Sequence, residues 1–212
     1  AKTTWEPKPQ TSAYVSLLRT TAPAMRAADD RVYIIAGSLA STTARQGISQ
    51  LDFLKQFCAL GGNRLVDAVG YHPYSFPVLA SSPVEWNAWS KIATTRVSFR
   101  SVLKASGTAN LPIWVTEYGA PTNGPGALAT DDDNNISHHP DNVSEAYQAD
   151  MATDSRRAAL DTPGVGALFW YSDHDLGDNP NSTENFYGLR RASGSLKPAF
   201  AALKAAIAAR GH

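Results

Sequence analysis

The chain has 212 residues, enough for one substantial domain that buries roughly 70% of the surface exposed when unfolded. Lys and Arg total 19, as do Asp and Glu, and this neutrality excludes the basic excess that a nucleic-acid or anionic-membrane partner would call for. No apolar run approaches the roughly 18 residues of a membrane span, and Cys58 is the only cysteine, so no internal disulfide can form.

The N-terminal Ala1-Lys2-Thr3-Thr4-Trp5 lacks an apolar signal core, which reads as a cytosolic chain, a processed one, or one cut from something longer. Residues 1–11 are Pro-rich and irregular. Thr11 or Ser12 can cap a helix whose apolar face carries Tyr14, Leu17, Leu18 and Met25, with Pro23 expected to kink it. Val32–Ala40 is a short apolar run, predicted as a strand buried on both faces. Ser49 and Asp52 open a second helix in capping-box fashion. It carries Phe53, Leu54, Phe57 and a buried Cys58, and stops at Gly61-Gly62.

Val66–Tyr74 is predicted as the second strand, closed by Pro73. Ser82-Pro83-Val84-Glu85 predicts a helix start, followed by Trp86, Trp89 and Ile92 at helical spacing. The third strand is built on Ile113-Trp114-Val115, with Thr116, Glu117 and Tyr118 at its end and Gly119 and Pro121 as stops. A polar loop is expected over 122–143, a helix over Ser144–Leu160, and a fourth strand over Val165–Tyr171. The loop Ser172–Asp175 follows, and Leu196, Phe200, Leu203 and Ile207 mark a terminal helix. Alternation of helices and strands without hairpin signals predicts an α/β fold with a parallel sheet: about four strands and five helices, a portion of a (β/α) barrel.

The long polar loops follow the strands, so the site is expected at the strand C-terminal ends. That rim collects Ser38, His72, Tyr74, Glu117, Tyr118, Trp170, Tyr171 and Asp173. A carboxylate where a buried strand runs out is costly to hide unless it is paired, which makes Glu117 the lead catalytic candidate. Aromatic rings beside hydroxyls and an imidazole suit a sugar, whose rings offer an apolar face and a polar edge.

Three segments carry a family resemblance: Val66–Ser75, Ile113–Pro121 and Leu168–Ser172, with Asn185–Phe200 as a closing stretch. They resemble strands six, seven and eight of the clan A retaining (β/α)8 glycoside hydrolases, cellulase-like and family-39-like members above all. The resemblance implies a half TIM barrel equivalent to strands five to eight, acting on a β-linked glucan or related glycoside. It implies Glu117 as nucleophile, and Tyr74 or His72 as a group that orients it or binds sugar. Trp170 would be a stacking floor, with Tyr171 and Asp173 also facing substrate. It also implies an oligosaccharide or polysaccharide ligand, no cofactor, and a secreted or extracytoplasmic location.

Retaining hydrolysis needs two carboxyl groups about 5–5.5 Å apart, and the family's Asn-Glu-Pro acid/base motif does not occur in this sequence. Glu6, in Trp5-Glu6-Pro7, is a candidate acid/base, although its surroundings resemble the segment just after that motif. Asp173 or Asp175 is a further candidate acid or sugar contact. Four parallel strands leave two open edges and an uncovered face. The chain is therefore expected to self-associate, to join a missing N-terminal half, or to cover its edges with its own segments. An alternative reading is a non-catalytic carbohydrate-binding or assembly half-barrel.

The remaining motifs are weaker. Asp131, Asp133 and Asn135 begin like a calcium loop but lack its Gly and terminal Glu, and with His138-His139 they read as a solvated loop with no metal site. Asn135, Asn142 and Asn181 sit in glycosylation triplets.

Overall fold

The computed structural model describes residues 9–41, 47–132 and 140–209. It has a four-strand parallel sheet flanked by five α-helices, as the sequence pattern predicts. Glu6, Asp133, Asn135, His138 and His139 lie outside the described residues.

The described residues form two compact units. The first holds the chain up to His72, Lys91–Thr116 and Pro163–Ala167; the second holds Pro73–Ser90, Glu117–Thr162 and the chain from Leu168 onward.

The first unit starts with helix α1 (Thr11–Ala28), which buries Thr11, Val15, Leu18 and Ala22. The stripe is therefore set one position away from the face expected, and Leu17 and Met25 are on the exposed side. Neither Thr11 nor Ser12 caps α1: the helix starts at Thr11, the cap position is Gln10, and the Thr11 hydroxyl bonds Gln56 Oε1 at 2.9 Å. The helix runs as one element through Pro23. In α2 (Gln50–Ala59) the Ser49 hydroxyl accepts from the Asp52 amide as predicted, and Leu54, Phe57 and Cys58 are buried.

Strand β1 (Ile35–Ala40) pairs in parallel with β2 (Ala68–His72), and β2 pairs in parallel with β3 (Ile113–Tyr118). The sheet order is β1, β2, β3, β6, where β6 is Val165–Trp170. β2 is buried along nearly its whole length, whereas β1 is largely exposed or half-buried. The expectation that the first strand is buried on both faces is thus corrected. It is an outer strand with one paired neighbour, and burial belongs to the inner strands.

The third helix is also corrected. Residues 82–92 form no α-helix, only a short 3-10 turn at Ala88–Lys91. Asn87, fully buried, donates from Nδ2 to the carbonyls of Leu79, Ala80 and Ser82 at 3.1, 3.0 and 2.8 Å. The Ser82 carbonyl, which a helix would offer to the residue-86 amide, is taken by that side chain. The helix forms instead as α3 (Phe99–Ala105), where Ser98 and Ser101 make a reciprocal capping box.

The second unit contains α4 (Glu145–Asp161), a predicted helix that proves to be capped by the Ser144 side chain, and α5 (Pro198–Ala208), which begins with its Pro in the first turn. The two helices pack on each other. Within the stretch expected to be loop, β4 (Ala127–Ala129) and β5 (Pro140–Val143) form a small parallel pair.

Candidate functional site

The last residues of β3 carry the site. Tyr118 is completely buried; its hydroxyl shares a 2.8 Å hydrogen bond with the Ser75 hydroxyl. Its ring meets Trp89 and Trp170 edge-on at 5.3 and 6.0 Å. The preceding Glu117 is half-buried, as the burial alternation of β3 breaks between Val115 and Tyr118. Gly119 follows because a Cβ there would lie 2.2 Å from the Tyr171 carbonyl oxygen. The close approach lets the Tyr171 amide donate to the Tyr118 carbonyl at 2.8 Å.

Glu117 accepts a hydrogen bond at Oε2 from the Tyr74 hydroxyl at 2.9 Å. Burial, and then the negative charge of Glu117, push the Tyr74 hydroxyl well above its ordinary range, so Tyr74 remains a donor throughout neutral and mildly alkaline pH. Around this pair is an aromatic cluster. Tyr187 meets Tyr74, Phe76 and Tyr171 at centroid distances of 5.7, 6.1 and 5.5 Å, all edge-to-face.

The other predicted rim residues fall in different settings. Trp170 is half-buried at the end of β6, and its indole N–H donates to the Tyr187 carbonyl at 3.2 Å. Tyr171 is half-buried beside Tyr187, and the peptide bond to Ser172 is cis. Asp173 is exposed, with His174 Nδ1 at 2.6 Å and Arg190 Nε at 3.3 Å. His72 closes β2 in the first unit, half-buried and in register with Ala40. The structure thus brings Tyr74, Glu117 and Tyr171 around one ring.

Asp175 is corrected. It is not presented to a ligand: its side chain is 5% exposed and pairs with Lys197, 1% exposed, at 2.7 Å. Burial lowers the Lys197 ammonium below its usual range, and Asp175 opposes that shift. Lys197 also donates to the Thr122 hydroxyl at 2.8 Å and the Phe186 carbonyl at 3.0 Å.

Tyr187 and Lys197 are the residues that sequence reasoning missed. Both stand in the closing stretch Asn185–Phe200, which carried the family likeness without pointing to any single side chain. Among the described residues, no group of three or more His, Cys, Asp or Glu is arranged to hold a metal. No helix there is long and apolar enough to cross a membrane.

Four parallel strands with five helices match part of the fold of a TIM-barrel glycoside hydrolase. Solved structures similar to this chain bear that out. One is a family 39 glycoside hydrolase from Bacteroides cellulosilyticus WH2 (23% identity, TM-score 0.60, covering 91% of this chain and 37% of that one). A second is the family 39 enzyme from Xanthomonas axonopodis pv. citri (20%, TM-score 0.65, 100% and 39%). A third is a monomeric β-xylosidase from Caulobacter crescentus CB15 (20%, TM-score 0.61, 100% and 40%). The chain spans about two-fifths of the length of these proteins, and at such identities the likeness is one of fold. No protein-family model and no curated protein matches the sequence.

Proposed function

We propose that this chain carries the nucleophile half of a retaining β-glycosidase, equivalent to the C-terminal half of the barrel. The Tyr74–Glu117 hydrogen bond at the end of β3 is the observation that carries this reading. In the proposed chemistry a Glu117 carboxylate oxygen attacks the anomeric carbon as the bond to the leaving oxygen breaks. That oxygen takes a proton from a second carboxyl group, and water then releases the sugar from the glycosyl ester. Tyr74 fixes the attacking carboxylate, and Trp170 and Tyr171 are proposed contacts of a β-linked glucan or related glycoside. Asp173, held between His174 and Arg190, is proposed at the outer rim.

The acid/base would come from the segment or copy that completes the barrel, since the sequence has no Asn-Glu-Pro. The outer strands β1 and β6 are where it would add, as a second copy or as an N-terminal half. An extracytoplasmic location belongs to the same proposal. The missing motif also favours a second reading, a half-barrel that binds carbohydrate without cleaving it.

One experiment separates the two readings. A fluoro-deoxy β-glycoside with a dinitrophenyl leaving group needs no acid, so Glu117 alone should capture the sugar as a stable ester. Native mass spectrometry would show the adduct, and in the same spectrum whether it sits on one chain or an assembly. Glu117→Gln should lower labelling on the order of 10⁴-fold or more, the scale of losing a nucleophile. Sugar binding by an unlabelled parent chain would leave only the non-catalytic reading.

A further inference from the structure

We propose that the buried Asp175–Lys197 pair is a positioning device for Glu117, acting through Tyr187 and Tyr74. This rests on the glycosidase reading above. The backbone around Tyr187 is held at three consecutive residues. The Phe186 carbonyl accepts from Lys197 Nζ at 3.0 Å, and the Gly188 amide donates to Asp175 Oδ1 at 2.8 Å. Between them, the Tyr187 carbonyl accepts from Trp170 Nε1 at 3.2 Å and from the Ser172 amide at 3.1 Å. The ion pair thus grips the residue on either side of Tyr187, while the end of β6 grips Tyr187 itself. Gly188 allows the grip, because a Cβ there would lie 2.1 Å from the Asp175 nitrogen.

The same ammonium reaches the segment that follows β3. Lys197 Nζ donates to the Thr122 hydroxyl at 2.8 Å, and the Thr122 amide donates to the Phe186 carbonyl at 3.1 Å. Five residues after Glu117, the chain is therefore tied to the loop bearing Tyr187. The Tyr187 ring stands at 73° to that of Tyr74, whose hydroxyl donates to Glu117. Hydrogen bonds and one edge-to-face ring contact, with centroids 5.7 Å apart, together run from Lys197 to the carboxylate.

Stability alone gives no reason for this pair. Buried ion pairs are commonly replaced by apolar residues without loss of stability, whereas removing one partner strands a charge and destabilises the fold. What an apolar replacement cannot supply is the three-way donation of an ammonium to Asp175, Thr122 and Phe186. Geometry at Tyr187 is what the pair contributes.

The test compares the parent chain with D175N/K197M, which removes both charges while the residue-175 side chain can still accept from the Gly188 amide. The readouts are thermal unfolding and the kinetics of Glu117 labelling by the fluoro-deoxy glycoside. The double variant is expected to melt close to the parent. Its labelling at saturation should be about ten- to a hundredfold slower, the cost of a displaced reacting group, with half-saturating concentration unchanged. Adding Tyr74→Phe to the double variant should slow it much less than it slows the parent, because the two changes act along one path. Labelling at the parental rate in a folded double variant overturns the proposal. If that variant does not fold, Tyr187→Leu tests the same link without touching the ion pair, and parental labelling there overturns it equally. A parent chain that takes no label overturns the glycosidase reading itself, and this one with it.

Discussion

Tyr74 illustrates how little a site needs when its donor is held from several sides. Its hydroxyl lies 2.9 Å from Glu117, and its ring is edge-on to Phe76 and Tyr187. Hydrogen bonds to charged groups contribute about 1.5–3 kcal/mol. Tyr74→Phe should therefore slow Glu117 labelling roughly 10- to 100-fold, with the ring packing kept and the unfolding midpoint lowered modestly. Parallel labelling and thermal-melt measurements would check this. Glu117 and Tyr74 were legible because both stand where an apolar run ends, and a polar group there needs a reason. Tyr187 and Lys197 were not. Neither interrupts a hydrophobic pattern, and their meaning lies in partners distant in sequence, Tyr74 for one and Thr122 for the other.

The elements were legible to different degrees for one physical reason. Helix α2 was readable because Ser49 caps it in place, and α4 because its stretch is rich in Ala, a strong helix former. The stretch from Ser82 carried equally good start signals, yet tertiary hydrogen bonding overrode them. Asn87 accepts from the Trp89 amide at 2.9 Å while donating to three carbonyls. A single side chain thus ties together the backbone from Leu79 to Trp89. Asn87→Ala should leave those buried carbonyls short of donors and cost about 1–3 kcal/mol or more, read as a lower urea midpoint with an unchanged slope. Helix α3 escaped notice because its box uses Ser101 where Glu or Gln is the familiar signature. β4 and β5 escaped notice because each is too short to show a period.

For the molecule as a whole, buried phenols set an alkaline limit. Burial raises Tyr71, Tyr74, Tyr118, Tyr147 and Tyr187 above the ordinary value of 10.0. In each case the unfolded chain ionises first, so the stabilisation is complete below pH 10.0 and is lost as pH rises beyond it. Lys197 acts in the opposite sense. Its value is lowered in the folded chain, so its contribution improves as pH rises through that value towards 10.5; the raised phenols outnumber it. Denaturant midpoints should therefore fall above pH 10.0, and tyrosinate absorbance should appear later in the native chain than in the unfolded one.

The two compact units have a consequence for inheritance. The chain passes between them after His72, Ser90, Thr116, Thr162 and Ala167, so each unit is assembled from three separate stretches of polypeptide. No single cut in a gene would deliver either one intact.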